Sequence, residues 1–304
     1  MIISKLGSNG GFFSELFFMV NHYIHCKKHN RTFRLDTNDW LYKFQEGWTD
    51  YFNPIDFDGN DSHDETHTMG HIYLFEHFPL HEYITVLKDI FIFNKKTRQI
   101  IDETIRDYFL VSKQIKEDIQ KYDAIYIRRG DKLFFETNYI SGEKYLELLM
   151  QKNPNCQNVY LQTDDYNSFL EIQKYISEKS LNIHLFTRCD PNMRGIVNYR
   201  FLLETDVNYF RTSNESREYY KTIQNELKNS KAIESMTPQE KYEHTIDFLT
   251  GVEIVLGAEH CVMDKQSNVS RFIWIFNKTP EKVYDVKNPE ENLNLNKTEC
   301  PGFW

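Results

Sequence analysis

The feature that most constrains this chain is the alternation, in its second half, of short apolar runs with segments of helical periodicity. Ala124-Ile125-Tyr126-Ile127 is continuously apolar, the pattern of a strand buried on both faces, and residues 142–151 follow with helical spacing. Asn158-Val159-Tyr160-Leu161-Gln162-Thr163 then reads as a second strand, residues 170–176 as part of a helix, and Asn182-Ile183-His184-Leu185-Phe186 as a third strand. Strands joined through helices pair in parallel by right-handed crossovers, and their ligands gather outside the strand C-termini. The second half is therefore expected to be α/β and Rossmann-like. Further on, residues 204–241 read as a polar, partly helical insertion and 244–249 as a helix. Glu253-Ile254-Val255-Leu256-Gly257 reads as a strand, 270–276 as a helix and 287–297 as a tail rich in Asn and Glu.

The first half opens with Met1-Ile2-Ile3 as a short strand, the turn Leu6-Gly7-Ser8-Asn9-Gly10-Gly11, and a helix carrying Leu16, Met19, Val20, Tyr23 and Ile24. A second strand is expected over 31–36, an aromatic-rich loop over 40–52, an acidic surface loop over 56–64 and helix over 83–111. The polar stretch 112–122 is the best boundary, giving an expected division into 1–115 and 116–304. At 304 residues the chain has room for both cores without disulfides.

Composition excludes several classes. Thirty-six Lys plus Arg against 45 Asp plus Glu leave a formal charge of −9, which repels a phosphate backbone, so no nucleic-acid partner is expected. The five cysteines are scattered without a C-x-x-C pair, arguing against a disulfide framework or a cysteine zinc site and for a reducing compartment. The apolar run at 12–20 contains Glu15 and is too short for a bilayer, so no membrane span or leader is expected and the location is read as cytoplasmic.

The chemistry concentrates in Tyr126-Ile127-Arg128-Arg129-Gly130-Asp131-Lys132. Two guanidiniums and an ammonium where a strand ends suit an anionic ligand such as a nucleotide diphosphate. Glu136, four residues beyond Lys132, is either a proton acceptor in the same cleft or an exposed loop carboxylate. Asp164-Asp165 is either a metal-nucleotide pair or a cap for the next helix. Ser267-Asn268-Val269-Ser270-Arg271 either holds phosphate at a helix start or merely caps that helix, and Gly10-Gly11 offers backbone N–H groups or only a turn. His63, His67 and His71 align for metal if helical, and are otherwise packed or solvated. Trp40, Tyr42, Trp48 and Tyr51 are sugar-stacking surfaces or core.

Taken together these segments resemble the α-1,6/O-fucosyltransferase superfamily. Its H-x-R-R-x-D-K strand end with a glutamate four residues on is matched by residues 126–132 and Glu136, with Tyr126 in place of the histidine and Gly130 in place of a threonine. Its S/T-D-D motif is matched by Thr163-Asp164-Asp165 and its S-x-V-x-R motif by Ser267-Asn268-Val269-Ser270-Arg271, preceded here by an extra segment over 259–266. The resemblance spans about residues 5–276 and implies a two-domain GT-B-like fold with the nucleotide in the second half. It implies GDP-fucose as donor, with no separate cofactor and no metal, and a glycan acceptor. Arg128 would hold the diphosphate with Arg129 and Asp131 beside it, Ser267 would contact phosphate, Asp247 or its neighbour Thr245 would read guanine, and Glu136 would be the base with Lys132 its charged neighbour. A transferase using another GDP- or UDP-sugar, or a nucleotide-sugar or glycan binder without turnover, stand as alternatives.

Overall fold

In the computed structural model, residues 1–7, 10–60, 64–67, 78–112, 121–199, 212–227 and 232–290 are described. They form two compact units. The first takes Met1–Glu103 and Thr237–Ile246, and the second takes Thr104–Met236 and Asp247–Leu293. The division thus falls inside a helix, ahead of the expected 115/116, and a later segment returns to the first unit; the expected boundary stretch itself, at 113–120, lies outside the described residues.

In the first unit, β1 (Ile2–Lys5) pairs in parallel with β2 (Phe33–Asp36) and with β3 (Glu65–His67), in the order β2-β1-β3. Helix α1 (Phe12–Lys28) links β1 to β2 and is buried along most of its length, from Phe12 and Phe13 through Val20 to Ile24. Its last turn carries His25, Lys27 and Lys28, which oppose the negative end of the helix dipole. The aromatic residues of the 40–52 loop are core. Trp40, Tyr42, Trp48 and Tyr51 are at most 5% exposed, Trp48 stacks on Phe52 at 4.2 Å, and the Tyr42 hydroxyl accepts the Phe12 N–H at the start of α1. The loop is fastened by Asp50, whose carboxylate accepts the backbone N–H groups of Phe44, Gln45, Glu46 and Gly47 at 2.8–3.0 Å. The expected helix over 83–111 is two helices, α2 (Leu80–Ile90) and α3 (Lys95–Ser112), separated by Phe91–Asn94.

In the second unit a parallel sheet has the order β6-β5-β4-β7-β8, with β4 Asp123–Ile127, β5 Asn158–Thr163, β6 His184–Thr187, β7 Cys261–Met263 and β8 Val283–Asp285. Between these strands run α4 (Lys132–Phe135), α5 (Gly142–Lys152), α6 (Tyr166–Glu178), α7 (Asn214–Leu227), α8 (Pro238–Leu256) and α9 (Asn268–Phe276). The core on one face joins Ile125, Ile127, Leu146, Leu149, Val159, Leu161, Ile172 and Val262. From β4 the chain steps outward to β5 and β6, then returns to the other side of β4 as β7. The order therefore reverses at β4, whose carboxyl end opens onto the switch-point crevice of such sheets.

Two expectations are corrected. Residues 253–257 are not a strand: Ile254, Val255 and Leu256 continue α8, which ends where the Gly257 N–H meets the carbonyls of Glu253 and Ile254. A short apolar run buried on all sides has no period that separates strand from helix. The strand is instead Cys261–Met263, within the segment expected to be an extra piece before the serine motif. Of the insertion over 204–241, residues 214–227 are helical, while 200–211 and 228–231 lie outside the described residues. Among the described residues no helix is long and apolar enough to cross a membrane.

Leu161 is fully buried at the centre of this core, so Leu161→Ala should lower unfolding free energy by about 3 kcal/mol, read from the urea midpoint at constant slope.

Candidate active site

Every residue of β4 is buried, so the strand delivers its next residues, Arg128 and Arg129, to the rim of the sheet with a defined orientation. The turn that follows needs Gly130, which sits at φ +45°; a Cβ there would lie 2.2 Å from the Ile196 carbonyl and 2.7 Å from Asp164 Oδ2. Asp131 and Lys132 lead into the single turn of α4, and Glu136 closes it with its N–H on the Lys132 carbonyl at 3.0 Å.

Arg128 is held in place before any ligand arrives. Its guanidinium pairs with Asp131 Oδ1 at 2.7 Å and with Asp164 Oδ2, and approaches the Ile196 carbonyl at 3.3–3.4 Å. Asp164 also accepts the backbone N–H groups of Arg129 at 2.7 Å and Ile196 at 3.0 Å. It is thus the support of Arg128. Asp165 takes the capping alternative: it starts α6 by accepting the Asn167 N–H at 3.0 Å and also accepts the Tyr219 hydroxyl.

Arg129 differs from its neighbour. At 1% exposure it donates to the Ile140 carbonyl at 2.9 Å and to Glu171 at 3.1 Å, and lies against the rings of both Tyr139 and Tyr219, 4.1 and 4.8 Å from their centroids. It braces the interior, because successive residues at a strand end point to opposite faces.

Tyr126, Arg128, Thr137, Asp264 and Ser267 line one small opening at the ends of β4 and β7. Ser267 is the N-cap of α9, its oxygen accepting the Ser270 N–H at 3.0 Å. Both alternatives for this motif are thus physically compatible, since a capped helix start still presents N–H groups and a positive dipole end. Tyr126 is 3% exposed, and burial pushes its phenol up to about 12, with Arg128 and Ser267 pulling the other way. By geometry that hydroxyl completes no hydrogen bond. Lys132 Nζ and Glu136 Oε1 are 2.6 Å apart, with Glu136 half exposed.

Asp264, Thr137 and Lys287 were not among the residues expected from the sequence. Thr137 donates to Asp264 at 2.5 Å, while Lys287 Nζ reaches Asp264 at 2.9 Å, Gln266 at 2.6 Å and Thr137 at 3.3 Å. Asp264 follows β7 directly, so the one available signal was a strand hidden by its three-residue length. Other expected residues fall elsewhere. Asp247 on α8 pairs with Arg188, and Asn268 accepts from Arg271 at 3.0 Å within the first turn of α9. Gly10 and Gly11 belong to the first unit, where Gly11 is the N-cap of α1. His67 lies in β3, bonded to Glu65 at 3.1 Å, and not in a helix; His63 and His71 lie outside the described residues. Among the described residues no group of three His, Cys, Asp or Glu is arranged to hold a metal.

No protein-family model and no curated protein matches the sequence. Among solved structures, two of the fucosyltransferase NodZ from Bradyrhizobium, one of them the selenomethionine protein, match at TM-scores of 0.51 and 0.52. Each is 10% identical over 95% of this chain and 96% of that chain. The likeness is one of fold. It bears out the α/β, GT-B-like class expected from the sequence, with its Rossmann-type sheet in the second half.

Burial holds the Asp165 carboxyl above its ordinary value near 3.8, against the pull of Tyr219 and Arg129. A carboxyl raised in the folded state is most favourable when protonated, so wild type should gain stability relative to Asp165→Asn as pH falls through that raised value toward 3.8. Urea unfolding of both proteins at pH 7 and pH 4 measures the difference; the asparagine retains the capping oxygen.

Proposed function

We propose that this protein is an inverting, metal-independent glycosyltransferase that moves fucose from GDP-fucose to a glycan hydroxyl. The observation that carries the reading is the convergence at one opening, beside the strand-order reversal, of Arg128, the unbonded Tyr126 hydroxyl and the Ser267-capped start of α9. Those are donors, a fixed cation and a helix dipole, the groups that a diphosphate requires. The fold it shares with a fucosyltransferase and the motif resemblance support the reading of fucose as the sugar and Glu136 as the base.

In the reaction, Glu136 takes the proton of the acceptor hydroxyl as that oxygen attacks the anomeric carbon from the face opposite the diphosphate. The bond from the anomeric carbon to the diphosphate oxygen breaks, and its electron pair leaves with GDP. Negative charge builds on the diphosphate, where Arg128 and the α9 N-terminus stabilise it without reorganising, because Asp131 and Asp164 already fix the guanidinium. Lys132, paired with Glu136 at 2.6 Å, holds the carboxylate of the base in place. These cations supply the charge that a metal ion supplies in other transferases.

A ligand that binds only the folded state raises stability by mass action, about 2.7 kcal/mol at one hundred times its Kd. GDP and GDP-fucose should therefore raise the melting temperature with or without EDTA, and Arg128→Ala should abolish the shift. Response to UDP-sugars alone would keep the transferase and replace the donor, and loss of the shift in EDTA would overturn metal independence. Glu136→Gln should keep GDP binding and lower turnover about 100-fold or more; unchanged turnover would remove Glu136 as the base.

A further inference from the structure

The segment carrying Glu136 has a second support that the resemblance does not account for. Helix α7, from the insertion, and the two residues before it meet this segment on both sides of Glu136. Thr212, just before α7, donates to the Leu133 carbonyl at 2.5 Å, and Tyr220 packs edge-on against Phe134 at 4.7 Å. The Ser213 N–H donates to Asn138 Oδ1 at 2.9 Å, and the Tyr139 N–H donates to Ser216 Oγ at 2.8 Å. Tyr219 stacks on Tyr139 at 4.6 Å, lies 4.8 Å from the Arg129 guanidinium, and donates its hydroxyl to Asp165. Helix α7 and the two residues before it thus fasten residues 133, 134, 138 and 139 to the ends of β4 and β5. Glu136 sits in the middle, its side chain tied to Lys132.

We infer that α7 is a positioning clamp for Glu136, with Tyr219 its central positioning residue: removing the Tyr219 ring loosens residues 133–139 and displaces the base. The inference rests on the reading of Glu136 as base. A stacked pair of rings packed beside a buried guanidinium is rigid and stays put when ligand charge arrives, whereas the exposed Lys132–Glu136 pair alone fixes little. A misplacement on the order of 1 Å of a reacting group costs up to about 100-fold in rate.

The test measures GDP release from GDP-fucose, and backbone hydrogen exchange, for wild type, Tyr219→Ala, Tyr219→Phe and the milder Ser216→Ala. Tyr219→Ala should lower turnover about 10- to 100-fold, with GDP affinity changed less than about twofold and faster exchange confined to residues 133–139. Tyr219→Phe, which keeps the stack, should recover most of the rate. Adding Tyr219→Ala to Glu136→Gln should cost nothing further, since both act through one carboxylate. Unchanged exchange at 133–139 in both Tyr219→Ala and Ser216→Ala, or multiplying effects in the double variant, would overturn the clamp. If Tyr219→Ala does not fold, Ser216→Ala decides by the same exchange and turnover readouts. Local loosening with a Glu136→Gln protein as fast as wild type would instead remove the base assignment, and with it the clamp's catalytic role.

Discussion

The carboxylate of Asp164 is the interaction on which this site depends. It stands just beyond β5 and gathers three donors from two other places in the chain: the Arg128 guanidinium, the Arg129 N–H and the Ile196 N–H. Parallel strands end in unpaired backbone groups, and a buried carboxylate that accepts several N–H bonds satisfies them while pinning the chains that bear them. Without Asp164 the β4 turn loses its partner, Arg128 loses one of its two anchoring carboxylates, and the segment around Ile196 no longer covers Gly130. The cost of burying such a charge is met only because every partner is present at once.

This arrangement also sets the electrostatic character of the opening. Arg128 is matched by Asp131 and Asp164, and Lys287 by Asp264, so the cations are held by the protein's own acids. A guanidinium fixed in this way gives up reach for orientation. Recognition of an anion then falls more heavily on groups with spare capacity, the start of α9 and the Tyr126 hydroxyl.

Much of this was legible in the sequence where local pattern and final position coincide. The apolar run before Arg128, the strand before Asp164 and the helix after Ser267 each announce themselves within a dozen residues, and their order is enough to place them around a parallel sheet. Arg128 and Arg129 could not be told apart, because adjacent residues at a strand end differ only in the face they meet, which depends on α6 and α7 arriving from far along the chain. Ile254-Val255-Leu256 reads as a strand because β-branched residues favour one, and the helix prevails because the run continues an established α8. Asp264 and Lys287 were invisible for the related reason that three-residue strands carry almost no periodic signal.

Helix α8 has a consequence for the order in which the chain can fold as it is made. Its first turns, up to Ile246, belong with the first unit, and there Tyr242 stacks on Tyr51 at 5.5 Å and packs at a tilt against Phe44 at 4.8 Å. A nascent chain emerging from the ribosome has therefore exposed β4, β5, β6 and α7 of the second unit before the ring that closes the first unit's aromatic cluster has been synthesised. The described part of the first unit is not complete until Ile246 is out, and the second not until its last strand follows. Vectorial synthesis, which favours N-terminal domains finishing first, gives this protein no such head start, and its two cores must mature together.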